Sequence, residues 1–372
     1  MTYRLIATQE EIDALLPLIE SADEVALDTE ADNMYHYHNR VCLLQIAVNG
    51  EIILVDALSG ASLKELLSAL ENTFLIMHGS DFDLRLLSEL SGFAPKRIFD
   101  TMLAAQLLGQ DRFGLASLIE RYFGVTVAKS HQKSDWSQRP LPAKMLDYAA
   151  QDVVYLFELR DRMQKELEAL GRMDWLRQRC EAQLASGSNG FAPRGEHAWR
   201  ISGARKLSKQ GLAVLHELWH WRDKEALRAD RPHFKIMNDQ FLLRLVEEAE
   251  KHGEATGECL PPSLRRRFGR RLRQVVKEGL NRDPATLPPP PPSNGRPEPF
   301  TNGELKRQDV FRKARDRVAS ELKLDPSLLA TRTIIGILSR EPDRYGELLM
   351  PWQIDVLRPT GVFEEIARPI TD

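Results

Sequence analysis

Apolar residues in the first hundred positions fall into short runs. "EVALD" (24–28), "RVCLLQIAV" (40–48) and "EIILVDA" (51–57) are rich in β-branched residues and are split by a polar loop and by Asn49-Gly50. That pattern predicts three consecutive strands in hairpin order. "TFLIMHG" (73–79) predicts a fourth strand, while "SLKELLSALE" (62–71) and "DFDLRLLSEL" (81–90) carry helical spacing. From Thr101 to about Leu184 the pattern is helical almost throughout, broken at Gly109, Gly124 and the loop "KSHQKSDWSQRPLP" (129–142). The order β-β-β-α-β-α predicts an α/β domain with a mixed sheet flanked by helices.

Beyond this domain, composition marks two joints. "ASGSNGFAPRGEH" (185–197) reads as flexible and "LPPPPPSNGRPEPF" (287–300) as stiffer. They divide the chain into an α/β domain over 1–190, a helical domain over 200–286, a Pro-rich linker over 287–300 and a second helical domain over 301–372. In the first helical domain Leu212, Leu215, Leu218 and Trp221 have the spacing of a buried helix face. A length of 372 residues calls for more than one core, and 42% hydrophobic with 28% charged residues is a globular balance. The first twenty residues lack a basic start followed by an apolar block, and no later stretch is long and apolar enough for a membrane span, so a cytoplasmic protein is expected. Three scattered cysteines, Cys42, Cys180 and Cys259, form no CxxC pair and are expected as reduced thiols.

Charge is unevenly spread. Residues 1–195 hold 19 Lys+Arg against 28 Asp+Glu, net −9, and the remainder holds 32 against 26, net +6. A polyanion is therefore expected on the C-terminal part. Its densest stretch is "RRRFGRRLR" (265–273), where arginines interleaved with Phe268 suit phosphate contact. No G-x-x-x-x-G-K-[ST] occurs, which excludes a P-loop nucleotide motor.

Candidate chemistry lies in carboxylates. In "VALDTEAD" (25–32) Asp28 and Glu30 end an apolar strand two residues apart, so both point to one face. Like charges side by side need water, a cation or a basic partner. Asp81 and Asp83 both begin a helix, where acids commonly satisfy free N–H groups, and one of them is expected to do only that. In "DYAAQDVVYLFELR" Tyr148 and Asp152 are four apart and share a helix face.

Together, "LDTE", "HGSDFDL" and "YAAQDV" resemble the three motifs of the four-carboxylate (DEDD-type) 3′-to-5′ exonucleases, in the subgroup with tyrosine in the third motif. "FDTMLAAQLLG", "FGLASLIERYFGV" and "KSDWSQRPLP" narrow the resemblance to the ribonuclease D family. It implies a ribonuclease H-like sheet, with Asp28 and Glu30 filling the first motif, Asp83 the second, and Tyr148 and Asp152 the third. Asp83 is chosen over Asp81 because it directly precedes Leu84 and lies five residues after His78. Met145 stands where family members often carry glutamine. Oxygen ligands of this kind suit two Mg²⁺ or Mn²⁺ ions across a scissile phosphate, and the family role of the tyrosine hydroxyl is to position the attacking water. Thr29, His78, Lys129 and Arg139 are candidate substrate contacts, and Trp136 a packing anchor.

The stretch "LAVLHELWHWRDKEALRADRPHFKIMNDQFLLRLVEEA" resembles an HRDC domain, and 301–372 resembles a second, divergent one. The resemblance implies a 3′-to-5′ exoribonuclease that releases 5′-mononucleotides. Its partner is RNA, with tRNA precursors bearing 3′ extensions as expected substrates, and a monomer is favoured. A DNA exonuclease of the same fold and a non-catalytic RNA-binding scaffold are the alternative readings, because carboxylates alone do not read the sugar.

Overall fold

Strand β3 (Val41–Val48) is buried at every position. This is why its sequence is a continuous apolar run: the strand lies mid-sheet with both faces covered. The computed structural model describes residues 2–127, 131–289 and 299–368. Strands β2 (Glu24–Ala31) and β4 (Glu51–Asp56) flank β3 in antiparallel pairing. Strand β1 (Arg4–Ile6) pairs parallel with β4, and β5 (Phe74–Met77) and β6 (Arg97–Asp100) extend the other side in parallel, giving the order β1-β4-β3-β2-β5-β6. Asn49 and Gly50, at φ 48° and 83°, form the turn between β3 and β4. A right-twisted hairpin needs two left-handed residues there, and Asn-Gly supplies them at little cost. The edge strands β1 and β6 have three and four residues, too few to show a period in the sequence.

Helices α1 (Gln9–Glu20), α2 (Lys64–Glu71), α3 (Asp81–Ser91), α4 (Thr101–Leu107), α5 (Leu115–Phe123), α6 (Ala143–Val154), α7 (Leu156–Ala169) and α8 (Met173–Gly187) surround this sheet. Strand alternation sorts the two cores. Val25, Leu27, Leu44 and Ile46 join Ile12 of α1, Leu66 of α2 and Leu84 of α3 on one face. Leu43 and Leu54 meet Met145, Tyr148 and Ala149 of α6 on the other, where Ala26 and Ala47 pack with Val153.

The described residues divide into two compact units. The first takes in those within 1–31, 41–191 and 297–372, so the C-terminal helices α13 (Asn302–Leu322), α14 (Arg332–Arg340), α15 (Tyr345–Leu348), α16 (Pro351–Leu357) and α17 (Val362–Ala367) pack with the α/β sheet domain. Trp352 of α16 stacks on Trp175 of α8 at 4.8 Å between ring centroids, and its backbone N–H donates to Gln178 Oε1 at 3.0 Å. The Arg172 guanidinium bridges the Leu107 and Leu322 carbonyls at 2.7 and 2.8 Å, tying the end of α4 to the end of α13. At the same place the Gly109 backbone lies against Lys323, so close that a Cβ on Gly109 would sit 2.1 Å from the Lys323 carbonyl oxygen.

The second unit takes in residues within 32–40 and 192–296. Its helices α9 (Lys209–Arg228), α10 (His233–Ile236), α11 (Asp239–His252) and α12 (Pro262–Asn281) enclose a separate core with Leu215, Leu218, Trp221 and Leu245. The 32–40 loop is fastened into this unit by Tyr37, whose hydroxyl donates to Asp223 at 2.6 Å, and by His36 on Asp230 at 2.8 Å. Phe268 does not join its neighbouring arginines in a phosphate-binding surface. It is buried against Trp221 at 5.2 Å, because position 268 falls on the apolar stripe of α12. Of the expected Pro-rich linker over 287–300, residues 290–298 lie outside the described residues. Among the described residues no helix is long and apolar enough to cross a membrane, and Cys42, Cys180 and Cys259 form no disulfide.

Gly109 and Gly124 offer a matched test, since both hold left-handed backbone (φ 72° and 70°) but only Gly109 faces an obstacle. In urea denaturation Gly124→Ala is expected to lose about 1 kcal/mol from backbone strain. Gly109→Ala should lose at least ~2 kcal/mol because strain and collision combine. Equal losses would show that the contact with Lys323 does not hold.

Candidate active site

Three elements deliver the acids to one place. Asp28 and Glu30 follow Ala26 in the alternation of β2 and so point toward the α6 side of the sheet. On α6, Tyr148 and Asp152 are one turn apart and both are buried, at 8% and 9% exposure. Thr29 points the opposite way, with Val25 and Leu27. There it meets α3, whose Leu84 and Leu87 pack into that core, and its hydroxyl donates to Asp83 Oδ1. The end of β2 thus carries two acids of its own and, through Thr29, orients an acid of α3 whose charge is felt by both.

The two candidate acids of α3 part company here. Asp83 is 8% exposed, whereas Asp81 is exposed and accepts from Arg85 one turn later at 3.1 and 3.0 Å. The structure brings Asp83 to the site and leaves Asp81 on the surface.

Burial raises every member of the set, and like charge adds to it at Asp28 and Glu30. Asp28 is pushed well above the usual carboxylate range by burial and then by Asp83, Asp152 and Glu30. Glu30 is raised to about 9 by burial and by Asp152 and Asp83. Asp83 and Asp152 are each raised to about 7, chiefly by burial, with the Thr29 and Tyr148 hydroxyls working in the opposite direction. Tyr148 is itself raised by burial and by Asp152, Glu30 and Asp28, so its phenol stays protonated and donates. Asp28 and Glu30 are half-buried.

These neighbours are carboxylates, not lysines or arginines, and oxygen donors without sulfur suit a hard divalent cation. Among the described residues no three His, Cys, Asp or Glu side chains already stand ready to hold a metal ion. The fit is one of chemistry: buried, mutually repelling oxygens whose charge a cation would balance.

Other candidates fare differently. The Thr29 hydroxyl donates to Asp83 and so orients a site acid. His78 is tied through Nδ1 to the Thr101 hydroxyl at 2.9 Å, and burial lowers it to about 4, which keeps it neutral and unsuited as a phosphate cation. Arg139 is not a substrate contact. All five of its N–H donors are used, on both Asp56 oxygens and on the carbonyls of Cys42, Trp136 and Gln138, so it fastens the loop before α6 to the sheet. Trp136 is a buried anchor 6.2 Å from Tyr148. Lys129 lies outside the described residues.

Sequence reasoning missed Gln132 and Gln45. The Gln132 side chain hydrogen-bonds Tyr148, a contact that a polar loop does not announce. Gln45 is wholly buried opposite Asp28. Its signal was visible as a lone polar residue inside the apolar run "VCLLQIAV".

Comparison with known proteins agrees with this layout. A family model described as a 3′–5′ exonuclease matches residues 3–168, and an HRDC domain model matches residues 211–276. Ribonuclease D of Nitrobacter hamburgensis is 31% identical over 291 residues, which covers 76% of each chain. Ribonuclease D of Escherichia coli is 28% identical over 375 residues, covering 96% of each. The crystal structure of E. coli RNase D, described as an exoribonuclease involved in structured RNA processing, superposes with a TM-score of 0.71 at 25% identity, over 96% of this chain and 99% of that one. A protein from Bifidobacterium adolescentis gives 0.82 at 25% identity, over 98% and 97%. With the acid motifs, the sheet and the matched relatives in agreement, the chain belongs to the ribonuclease D family of hydrolytic 3′–5′ exoribonucleases.

Proposed function

We propose that Asp28, Glu30, Asp83 and Asp152 together hold two divalent cations, Mg²⁺ or Mn²⁺, and that the chain releases 5′-mononucleotides one at a time from RNA 3′ ends. The observation that carries this reading is the gathering of four acids from β2, α3 and α6, in which the Thr29 hydroxyl holds Asp83 and the charges of Asp83 and Asp152 are felt at both Asp28 and Glu30. Bound cations would lower the pKa of an attacking water and stabilise charge on the leaving 3′-oxygen.

The remaining work falls to the chain itself. Thr29 holds the Asp83 carboxylate in one orientation. The Tyr148 hydroxyl, protonated throughout the neutral range, serves as a donor that orients water; it is not a base. On α12, Arg265, Arg266, Arg267, Arg270, Arg271 and Arg273 are exposed along one helix. Such a basic face suits the phosphates of a structured RNA body, and the involvement of the E. coli relative in structured RNA processing favours tRNA precursors with 3′ extensions as substrates. The protein is read as acting as a monomer.

Asp28→Asn should reduce nucleotide release from 5′-labelled RNA by more than ~100-fold and leave RNA retention intact; excess EDTA should do the same to the wild type. Full release under chelation would refute the cation reading. The same substitution has a second expected effect. The site acids are raised in the folded state, so folding takes up protons, and metal-free stability falls from about pH 4 until Glu30 ionises at about 9. Asp28→Asn removes one repelling charge, so with chelator at pH 8 its thermal midpoint should exceed that of the wild type by about 2 °C or more. Melting curves indifferent to both pH and substitution would contradict the crowded nest.

Tyr148→Phe should lower turnover by about 10- to 100-fold with an unchanged melting point, and a wild-type rate would remove its role. Reversing charge at Arg267, Arg270 and Arg273 should raise KM for a 3′-extended tRNA and flatten its salt dependence, while turnover of a short oligonucleotide stays the same. Equal effects on both substrates would place RNA grip elsewhere.

A further inference from the structure

The amide of Gln45 is a polar group without an evident purpose in the most buried strand of the sheet. It has no exposed surface, and neither its Oε1 nor its Nε2 has a hydrogen-bond partner among the described residues. An amide enclosed by protein without a protein partner needs one from elsewhere, because native interiors rarely leave buried polar groups unpaired.

Register narrows that partner. Gln45 stands directly opposite Asp28 in the β2–β3 ladder, so the two side chains share a face with Cβ atoms about 5 Å apart. Its ladder neighbour on the other side is Leu54, and along β3 the same face carries Leu43 and Ala47. Over this face lie Met145, Ala149 and Val153 of α6. Those neighbours are apolar. On β2 this face carries Glu24, Asp28 and Glu30; Glu24 is paired with Arg160, and Asp28 is the one opposite Gln45 in register.

We infer that Gln45 is a positioning residue of the acid site: its side-chain N–H donates to the Asp28 carboxylate when a divalent cation is bound, and so fixes which oxygen faces that cation. The inference rests on the cation reading given above. It follows a general pattern in which a ligating carboxylate is held by a neighbour that does not itself touch the metal. A glutamine suits the task because it donates without adding a charge to a face already crowded with carboxylates.

The test uses the full chain and Mn²⁺ as probe. Gln45→Met keeps the volume nearly unchanged and removes the amide. Calorimetry or electron paramagnetic resonance should show the Mn²⁺ dissociation constant raised by ~10-fold or more, while the metal-free melting point equals or exceeds that of the wild type. Unchanged Mn²⁺ affinity would overturn the assignment and leave Gln45 as a structural residue. Should Gln45→Met fail to fold, the wild-type protein with ¹⁵N-labelled glutamine serves instead. Saturating Mg²⁺ should shift the assigned Gln45 side-chain amide resonance and slow its exchange with water, and a resonance that stays in place would overturn the proposal. A wild-type protein that takes up no Mn²⁺ would defeat the cation reading and this inference with it. Equal uptake by wild type and variant defeats the inference alone.

Discussion

The gathering of four carboxylates in a poorly solvated site is the constraint on which this molecule turns. A carboxylate alone in a poorly solvated pocket keeps its proton, and each neighbour of like sign strengthens that preference. Asp28 and Glu30 occupy one strand end, Asp83 one helix start and Asp152 the last turn of another helix, and each of the four is raised. Nothing in hydrophobic packing favours such a gathering. It persists because the surrounding sheet and helices supply enough apolar burial to hold it, as sites built for charged ligands commonly require.

The architecture answers that constraint. A central strand buried on both faces gives a rigid floor, and β2 beside it presents two acids of its own while its Thr29 orients an acid of α3. The loop before α6 is locked down by Arg139, which joins Asp56 to three carbonyls. That fastening holds Trp136 near Tyr148. The C-terminal helices reinforce the same unit through Arg172 and the Trp175–Trp352 stack. Their contribution to the exonuclease unit is therefore structural support.

Arginine plays two opposite parts in this chain. Where it is enclosed and fully hydrogen-bonded, as at Arg139 and Arg172, it acts as a cross-brace whose fixed fork suits carbonyls and carboxylates. Where it lines the outer face of α12 it stays in solvent, and its charge is available to a polyanion. A sequence shows both as the same letter, and only the surroundings separate brace from binding surface.

How much was legible in the chain follows from what is local and what is not. The strands, the Asn-Gly turn, the mixed sheet and the acids of the three motifs were readable because period, turn chemistry and motif spacing are properties of neighbouring residues. The choice of Asp83 over Asp81 was also readable, through the family pattern, and burial gives it a physical cause. Tertiary structure alone decided that Thr29 and His78 would bond to protein groups, that Arg139 would brace a loop, and that Phe268 would turn into a core. It also decided that 32–40 would pack with the second unit and 301–368 with the first, and that Gln45 would face Asp28 without a partner. Each of these depends on which distant segment arrives beside a given side chain, and pairings across a hundred or more residues leave no period or local preference in the sequence to read.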